Sequence, residues 1–199
     1  HNHRDHCDRK SLEHVCALNP GAVILTGLRI GNLLRKWSLP NPVIEMGWYQ
    51  QYVTEEGIRI SYLPAKHWNR RGLTDLNDML WGSFLLEAEG RKIYFGADSG
   101  LGAHFREIGQ LFPGIDYALL GIGAYMPEWF MRTSHTSPAD AIQACEWLGA
   151  SRLVPMHFGT FDLSDEPVYY PGDELARLVP QYPDLSVLQL EIGSKLYCS

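Results

Sequence analysis

The sequence contains few cysteines, and they are far apart. Cys7, Cys16, Cys145 and Cys198 are the only four, and no two of them form a CxxC pair. This spacing excludes a cysteine zinc knuckle, and a disulfide framework is not typical of a chain of 199 residues. We therefore expect reduced thiols in a cytoplasmic protein.

Basic runs and long apolar runs are also absent. The chain has 17 basic and 23 acidic side chains and a formal net charge of −6, so we expect no nucleic-acid partner. No stretch approaches the roughly twenty apolar residues that a transmembrane helix needs. The segment 28–37 combines leucines and Trp37 with three basic residues and could contact a membrane peripherally, although an ordinary amphipathic surface helix is the commoner explanation. The oligomeric state stays open.

Hydrophobic periodicity divides the chain into strands and helices. Apolar runs predict strands over 22–26, 43–46, 47–53, 58–63, 83–88, 92–96, 117–120, 153–155 and 186–192. Helical periodicity predicts helices over 10–18, 28–36, 103–111, 138–148 and 172–179. Short turns at 55–57 and 89–91 predict antiparallel hairpins, while Ser137-Pro138 and Gly149 are typical of the two ends of a helix. Hairpins followed by alternating strands and helices favour a layered α/β or α+β fold.

The first six residues carry a dense group of metal-binding side chains. They read His1-Asn2-His3-Arg4-Asp5-His6, an HxHxDH pattern. Side chains two apart in a loop can point the same way, so His1 and His3 can hold one ion while Asp5 and His6 face a second. Imidazole with carboxylate suits Zn²⁺, Fe²⁺ or Mn²⁺, whereas Mg²⁺ and Ca²⁺ sites are built from oxygen. The interspersed residue types argue against the alternatives, a piece of an affinity tag or a surface histidine loop.

Three further candidate ligands each follow a predicted strand. His67 follows strand 58–63, Asp98 follows strand 92–96 and His157 follows strand 153–155. Polar side chains in loops at strand ends are common in sites held by a rigid scaffold. Taken singly, each has an ordinary explanation, as a packing histidine or an aspartate that caps a turn.

The order of these motifs resembles that of the metallo-β-lactamase superfamily. Within it, the chain is similar to the phospholipases D that hydrolyse N-acyl-phosphatidylethanolamine and to their bacterial relatives. The similarity covers about residues 1–165, and its motifs are HNHRDH at 1–6, PAKHW at 64–68, GADSG at 96–100, GIGAYMPEWFM at 121–131 and HFGTF at 157–161. The resemblance implies an α+β fold, the four-layer αββα metallo-β-lactamase-like sandwich.

The resemblance also implies two divalent metal ions, zinc first, with manganese or iron as alternatives. His1, His3 and His67 would bind one ion, Asp5, His6 and His157 the other, and Asp98 would bridge them. The candidate catalytic residues are Asp5, which is also one of these ligands, and His135. His135 would contact phosphate or assist proton transfer. The sequence after His135 departs from the family pattern. An alternative role for His135 is to cap the helix predicted over 138–148. Trp68, Trp81, Trp129, Phe130 and Phe158 either line a groove for acyl chains or belong to the core.

The activity that the resemblance implies is hydrolysis of a phospholipid phosphodiester. A hydroxide shared by the two metals would cleave N-acyl-phosphatidylethanolamine to N-acylethanolamine and phosphatidic acid. Alternatives are a hydrolase of the same superfamily acting on a lactone, a thioester or a sugar-phosphate lactone, and a metal-binding fragment without turnover. An iron oxidoreductase is a further alternative, against which His3 counts because the di-iron oxidases carry Glu at that position.

The position of the HxHxDH loop leads to an expectation about the chain itself. In the superfamily this loop follows N-terminal strands and lies well inside the domain. We therefore expect residues 1–199 to form one metallo-β-lactamase-like hydrolase domain that is N-terminally incomplete and lacks its first strands.

Overall fold

A computed structural model describes residues 1–197 of the chain, which form both helices and strands. Cys198 lies outside these described residues. The helices are α1 (Arg9–Leu18), α2 (Ile30–Lys36), α3 (His104–Leu111), α4 (Glu128–Met131), α5 (Pro138–Leu148) and α6 (Tyr170–Leu178), followed by a 3-10 turn at Val179–Gln181. The strands are β1 (Ile24–Gly27), β2 (Val43–Met46), β3 (Gln51–Val53), β4 (Arg59–Leu63), β5 (Ser83–Ala88), β6 (Arg91–Phe95), β7 (Tyr117–Gly121), β8 (Arg152–Met156) and β9 (Ser186–Val187).

Strands β3 to β9 form one mixed sheet in which each strand pairs with its neighbours in sequence. The pairs from β3 to β6 are antiparallel, which confirms both predicted hairpins, and the pairs from β6 to β9 are parallel. Because β4 and β6 both run antiparallel to β5, they share the direction of β7 and β8. The carboxyl ends of β4, β6, β7 and β8 therefore meet at one edge of the sheet, and three predicted ligands follow these ends.

The main core lies between this large sheet and helices α3, α5 and α6. The sheet contributes Leu85, Tyr94 and Leu153, which are fully buried against Ile108 of α3 and Leu148 of α5. Burial of each such side chain contributes about 1.5–3 kcal/mol of hydrophobic free energy, so this core holds the sheet edge in place.

The parallel pair β1–β2 forms a second, smaller sheet with its own core. Ile30 and Leu34 of α2 are buried there with Cys7, so the apolar side of the 28–37 segment faces protein, as in an ordinary amphipathic surface helix. Gly27 ends β1 against the Tyr62 hydroxyl and the Leu80 carbonyl, with no room for a Cβ. That contact joins the two sheets.

The predicted elements agree with the structure in type, but β3 covers only Gln51–Val53 of the strand predicted over 47–53. Helix α5 has the predicted ends, because Ser137 forms a capping box with Asp140 and Gly149 adopts a left-handed φ of 61°. The two-residue β9 is shorter than predicted, and the sequence analysis missed α4. The α+β fold class is confirmed, and whether further strands of the domain precede residue 1 stays a prediction.

Cys7, Cys16 and Cys145 are buried, and none of them forms a disulfide with another cysteine of the described residues. No helix in residues 1–197 is long and apolar enough to cross a membrane.

Candidate metal centre

The HxHxDH loop has neither helix nor strand and lies against the edge of the large sheet. One ligand atom from each of His1, His3 and His67 lies within 4.8 Å of the others in a first group. A second group, formed in the same way, contains Asp5, His6, Asp98 and His157. All seven predicted metal ligands are thus brought together, in the same partition that the resemblance implies except that Asp98 falls with the second group.

The Asp98 carboxylate lies between the two groups. Its Oδ2 is 3.6 Å from Nε2 of His1, 3.9 Å from Nε2 of His67 and 3.0 Å from Nε2 of His6. Its Oδ1 is 3.2 Å from Nε2 of His157. Because Oδ2 lies within 3.9 Å of ring nitrogens from both groups, this carboxylate can contact cations on both sides.

The donor set fits divalent cations. The buried Nε2 atoms of His1 and His3 have no hydrogen-bond partner among the described residues, although buried polar atoms are normally paired. Nε2 of His67 also lies only 3.3 Å from Nδ1 of His3. Five imidazoles and two carboxylates suit zinc, manganese or iron rather than magnesium or calcium.

Burial favours the neutral ring of two histidines in the first group, His67 and His3. It lowers the pKa of His67 to about 3 and also lowers the pKa of His3. Nδ1 of His67 lies 3.0 Å from the Ser134 carbonyl, to which it donates when protonated. Because that bond fixes the tautomer, the lone pair on Nε2 of His67 faces the cluster and is ready to bind a cation.

The second group stabilises positive charge. Burial alone would lower the pKa of His6, but hydrogen bonds to Asp5 and Asp98 raise it to about 9. Burial alone would raise the pKa of Asp98, but the bond from His6 and the nearby histidines bring it to about 2. Hydrogen bonds from His157 and His6 hold the pKa of Asp5 well below its ordinary value. The two carboxylates therefore favour a proton on His6 or a cation in its place.

Strained backbone surrounds the cluster. Ala97, Ala124 and His157 have φ values of 50°, 62° and 61°, a region that residues with a Cβ rarely adopt. They lie in the loops after β6, β7 and β8, at the edge of the sheet that carries Asp98. Such strain persists where surrounding contacts enforce it and is common at functional sites.

His135 lies beside the cluster and does not cap a helix. Its ring centroid is 5.3 Å from that of His67 and 5.5 Å from that of His157. Ser137 is the residue that caps α5, so the capping alternative for His135 is wrong. Burial lowers the pKa of His135, which makes its ring neutral at pH 7.

A pocket of about 180 Å³ opens beside Asp5, His6 and His157. Its lining is mostly apolar and also includes Gly123, Ala124, Phe158, Thr160, Phe161, Leu163, Ser164, Glu166, Val168 and Pro171. Of the five aromatic residues considered in the sequence, Phe158 thus lines the pocket, and it also packs on the main core. Trp68 forms a T-shaped contact with the His3 ring, and Trp81 donates to the Ala65 carbonyl. Trp129 and Phe130 are exposed on α4.

The sequence analysis assigned no role to three side chains that contact this region. Nε2 of His104 is 3.1 Å from Oγ of Ser99, the residue after Asp98. Arg71 reaches the HxHxDH loop, and Glu166 reaches the loop after β7. Arg71 follows the predicted ligand His67 by four residues and His104 lies within the similar segment, but Glu166 had no such signal. Their contacts depend on tertiary structure.

Comparison with known proteins identifies the family. Residues 1–158 match the β-lactamase superfamily domain. This is most of the chain, so the chain belongs to the β-lactamase superfamily.

Individual relatives agree with this assignment. The N-acyl-phosphatidylethanolamine-hydrolyzing phospholipase D 1 of Caenorhabditis elegans is 31% identical over 194 residues, which are 93% of this chain and 54% of the worm protein. The mitochondrial N-acyl-phosphatidylethanolamine-hydrolyzing phospholipase D of Saccharomyces cerevisiae is 34% identical over 185 residues, 89% of this chain and 39% of the yeast protein. The chain thus spans about half the length of these relatives or less.

The fold has a close structural counterpart. A metallo-hydrolase from the hyperthermophilic archaeon Ignicoccus hospitalis superposes with a TM-score of 0.73 at 22% identity, covering 98% of this chain and 75% of the archaeal one. This likeness confirms the metallo-β-lactamase-like sandwich, and the two named relatives confirm the similarity to the phospholipase D group.

Proposed function

We propose that this chain is a metal-dependent hydrolase, specifically a phosphodiesterase of phospholipase D type. It would cleave N-acyl-phosphatidylethanolamine to an N-acylethanolamine and phosphatidic acid. The observation that carries the proposal is the Asp98 carboxylate between two groups of ligand atoms suited to a pair of divalent cations. The names of the worm and yeast relatives support this substrate.

The proposed ligands divide between two ions, with zinc as the first candidate metal. His1, His3 and His67 would hold one ion, Asp5, His6 and His157 would hold the other, and Asp98 would contact both. When bound, two divalent ions in such a site polarise a phosphoryl oxygen and allow a water molecule to ionise near pH 7.

The proposed reaction exchanges one phosphorus–oxygen bond for another. The oxygen of water forms a bond to phosphorus, the bond between phosphorus and the ethanolamine oxygen breaks, and a proton ends on that ethanolamine oxygen. Asp5, which hydrogen bonds from His157 and His6 keep ionised, can orient the attacking water by accepting its hydrogen bond at Oδ2. His135, neutral because it is buried, can donate a ring N–H to a phosphate oxygen or to the leaving oxygen.

The adjoining pocket supports a substrate with an apolar part. Phe158, Phe161 and Leu163 line it within reach of Asp5 and His157. Apolar lining with a few polar groups at one end is the common form of a small-molecule site. An acyl chain would bury apolar surface there while its headgroup faces the ligand cluster.

A reconstitution assay tests the proposal. The purified protein is loaded with zinc, manganese or iron, its metal content is measured, and it is incubated with N-acyl-phosphatidylethanolamine in detergent micelles. Release of N-acylethanolamine and phosphatidic acid in equal amounts is the expected result. Turnover of lactones, thioesters or sugar-phosphate lactones without phosphodiester cleavage would reassign the substrate. Oxygen-dependent turnover with iron, or metal binding without any turnover, would overturn the hydrolase proposal.

Asp98→Asn should lower phosphodiester turnover by at least about a hundredfold, since changes even to the partners of metal ligands cost 10–100-fold. The amide keeps the shape of the side chain but removes the negative charge that joins the two groups. Asp78→Asn is the matched control, because Asp78 forms an exposed ion pair with Arg29. Equal activity of the two variants would refute the bridging role of Asp98.

A further inference from the structure

The HxHxDH loop carries four proposed ligands but has little regular structure to hold them. Within residues 1–7 the backbone forms one turn, in which the N–H groups of His6 and Cys7 donate to the His3 carbonyl at 3.3 and 2.8 Å. This turn fixes the loop internally. It does not fix the loop relative to the sheet edge that supplies Asp98 and His157.

Arg71 supplies a connection from outside the loop. Its Nη1 donates to the Asn2 carbonyl at 2.7 Å and to the Cys7 carbonyl at 2.8 Å. These two carbonyls bracket the stretch from His3 to His6. One guanidinium nitrogen, which has two hydrogens, therefore ties together both ends of the ligand-bearing turn.

Arg71 is itself held in place. Its backbone N–H donates to the two carboxylate oxygens of Asp75 at 3.2 and 3.1 Å, and its guanidinium carbon lies 5.1 Å from the centre of the Trp37 ring. It also follows His67 by four residues. The segment that supplies His67 to the first group therefore also supplies the guanidinium that holds the motif loop.

We infer that Arg71 is a positioning residue for the metal centre. Its guanidinium holds the HxHxDH loop in position relative to His67, so that the ligands of both groups lie close together before a cation binds. The inference rests on the proposed metal centre and not on the identity of the substrate. Supporting side chains of this kind commonly tune metal affinity because they orient the ligands.

The sign of the effect distinguishes positioning from electrostatics. A guanidinium near a cation site repels the cation, so removal of its charge alone would raise metal affinity. Removal of a positioning contact would lower metal affinity, because the loop must then be ordered when the ion binds. The two explanations therefore predict opposite changes for the same substitution.

The test measures zinc affinity by competition with a chromophoric chelator, so it needs no substrate. Arg71→Ala should weaken zinc binding by about 10–100-fold. Arg70→Ala is the matched control, because Arg70 carries the same charge at the preceding position. Among the described residues, its side chain donates only to the Gly72 and Leu73 carbonyls of its own loop. It should change affinity by less than about twofold, as is usual for an exposed side chain.

Two further measurements separate positioning from a general loss of stability. The visible spectrum of bound Co²⁺ reports ligand geometry, and Arg71→Ala should change its band positions while Arg70→Ala should not. Near-UV circular dichroism of the metal-free variants shows whether each is folded. If Arg71→Ala does not fold, Arg71→Lys is used in both assays instead, because it keeps the charge beside Trp37. Its control is then Arg70→Lys.

The outcomes are distinct. Weaker zinc binding with an altered cobalt spectrum, specific to position 71, supports the inference. Unchanged or tighter zinc binding, or a cobalt spectrum like that of the unsubstituted protein, overturns it. Absence of zinc binding in the unsubstituted protein would instead refute the proposed metal centre.

Discussion

His6 and Asp98 show at the residue scale how the site prepares for a cation. Nε2 of His6 lies 3.0 Å from Asp98 Oδ2 and 3.3 Å from Asp5 Oδ2. Both carboxylates attract positive charge to the same point, and this attraction outweighs the cost of burying a charged imidazole. A proton on His6 and a metal ion therefore compete for the same two carboxylates.

Zinc affinity should consequently rise with pH. The pKa of His6 is about 9, so below that pH a cation must displace its proton. Affinity should increase by up to about tenfold per pH unit for each proton released, until the pH passes the pKa of His6. Chelator competition at several pH values from 6 to 9 measures the slope, and calorimetry in buffers of different ionisation enthalpy counts the protons. Affinity that stays constant over this range would contradict the coupling.

Glu166 joins two loops at the scale of structural elements. Its buried carboxylate accepts the backbone N–H groups of Tyr125 at 3.2 Å and Met126 at 3.0 Å. Glu166 belongs to the loop after β8, and its partners belong to the loop after β7. Both loops line the pocket beside the metal centre, so this carboxylate connects two of its walls.

Glu166→Gln should loosen the pocket without removing any proposed metal ligand. The amide has a single acceptor oxygen, so one buried backbone N–H would lose its partner at a cost of about 1–3 kcal/mol. We expect a lower free energy of unfolding in urea and a raised KM, with zinc affinity unchanged. The exposed neighbour Asp165 provides the control, Asp165→Asn. A variant with unchanged stability and KM would show that the joining bonds are dispensable.

The metal centre depends on the whole molecule. Its proposed ligands come from the loop at residues 1–6, from the loops after β4 and β6, and from the loop after β8. The most distant of these ligands, His1 and His157, are 156 positions apart. Only the folded chain brings these groups together, so a cation that binds them stabilises the folded state.

Zinc should therefore raise the thermal midpoint of unfolding, and a chelator should lower it again. At a free zinc concentration 100-fold above Kd the stabilisation is about 2.7 kcal/mol, which corresponds to several degrees for a domain of this size. Scanning calorimetry at increasing zinc concentration measures the shift. Mg²⁺ is the control ion, because a site rich in imidazole binds it poorly. A shift as large with Mg²⁺ as with Zn²⁺ would argue against an imidazole site.

Much of the fold was predictable because its signals are local. Alternating and helical periodicities gave all nine strands of the described residues and every helix except α4, whose four residues are too few to show a period. Ser137 and Gly149 marked the ends of α5 through backbone chemistry that operates within a single turn. The seven proposed ligands could be predicted for the same reason, from the HxHxDH motif and from the three polar residues that follow strands. Residue types and strand ends can both be recognised locally in the sequence.

Contacts between distant segments were decided only by the tertiary structure. The sequence alone left His135 as either a helix cap or a neighbour of the metals, and packing placed its ring between those of His67 and His157. Arg71 and Glu166 carried no distinguishing pattern, because each acts on backbone groups about 40 or more positions away. The sequence by itself therefore determined which atoms could bind a metal. The parallel direction of β4, β6 and β8 decided that those atoms meet, because strand ends converge only after the sheet has formed.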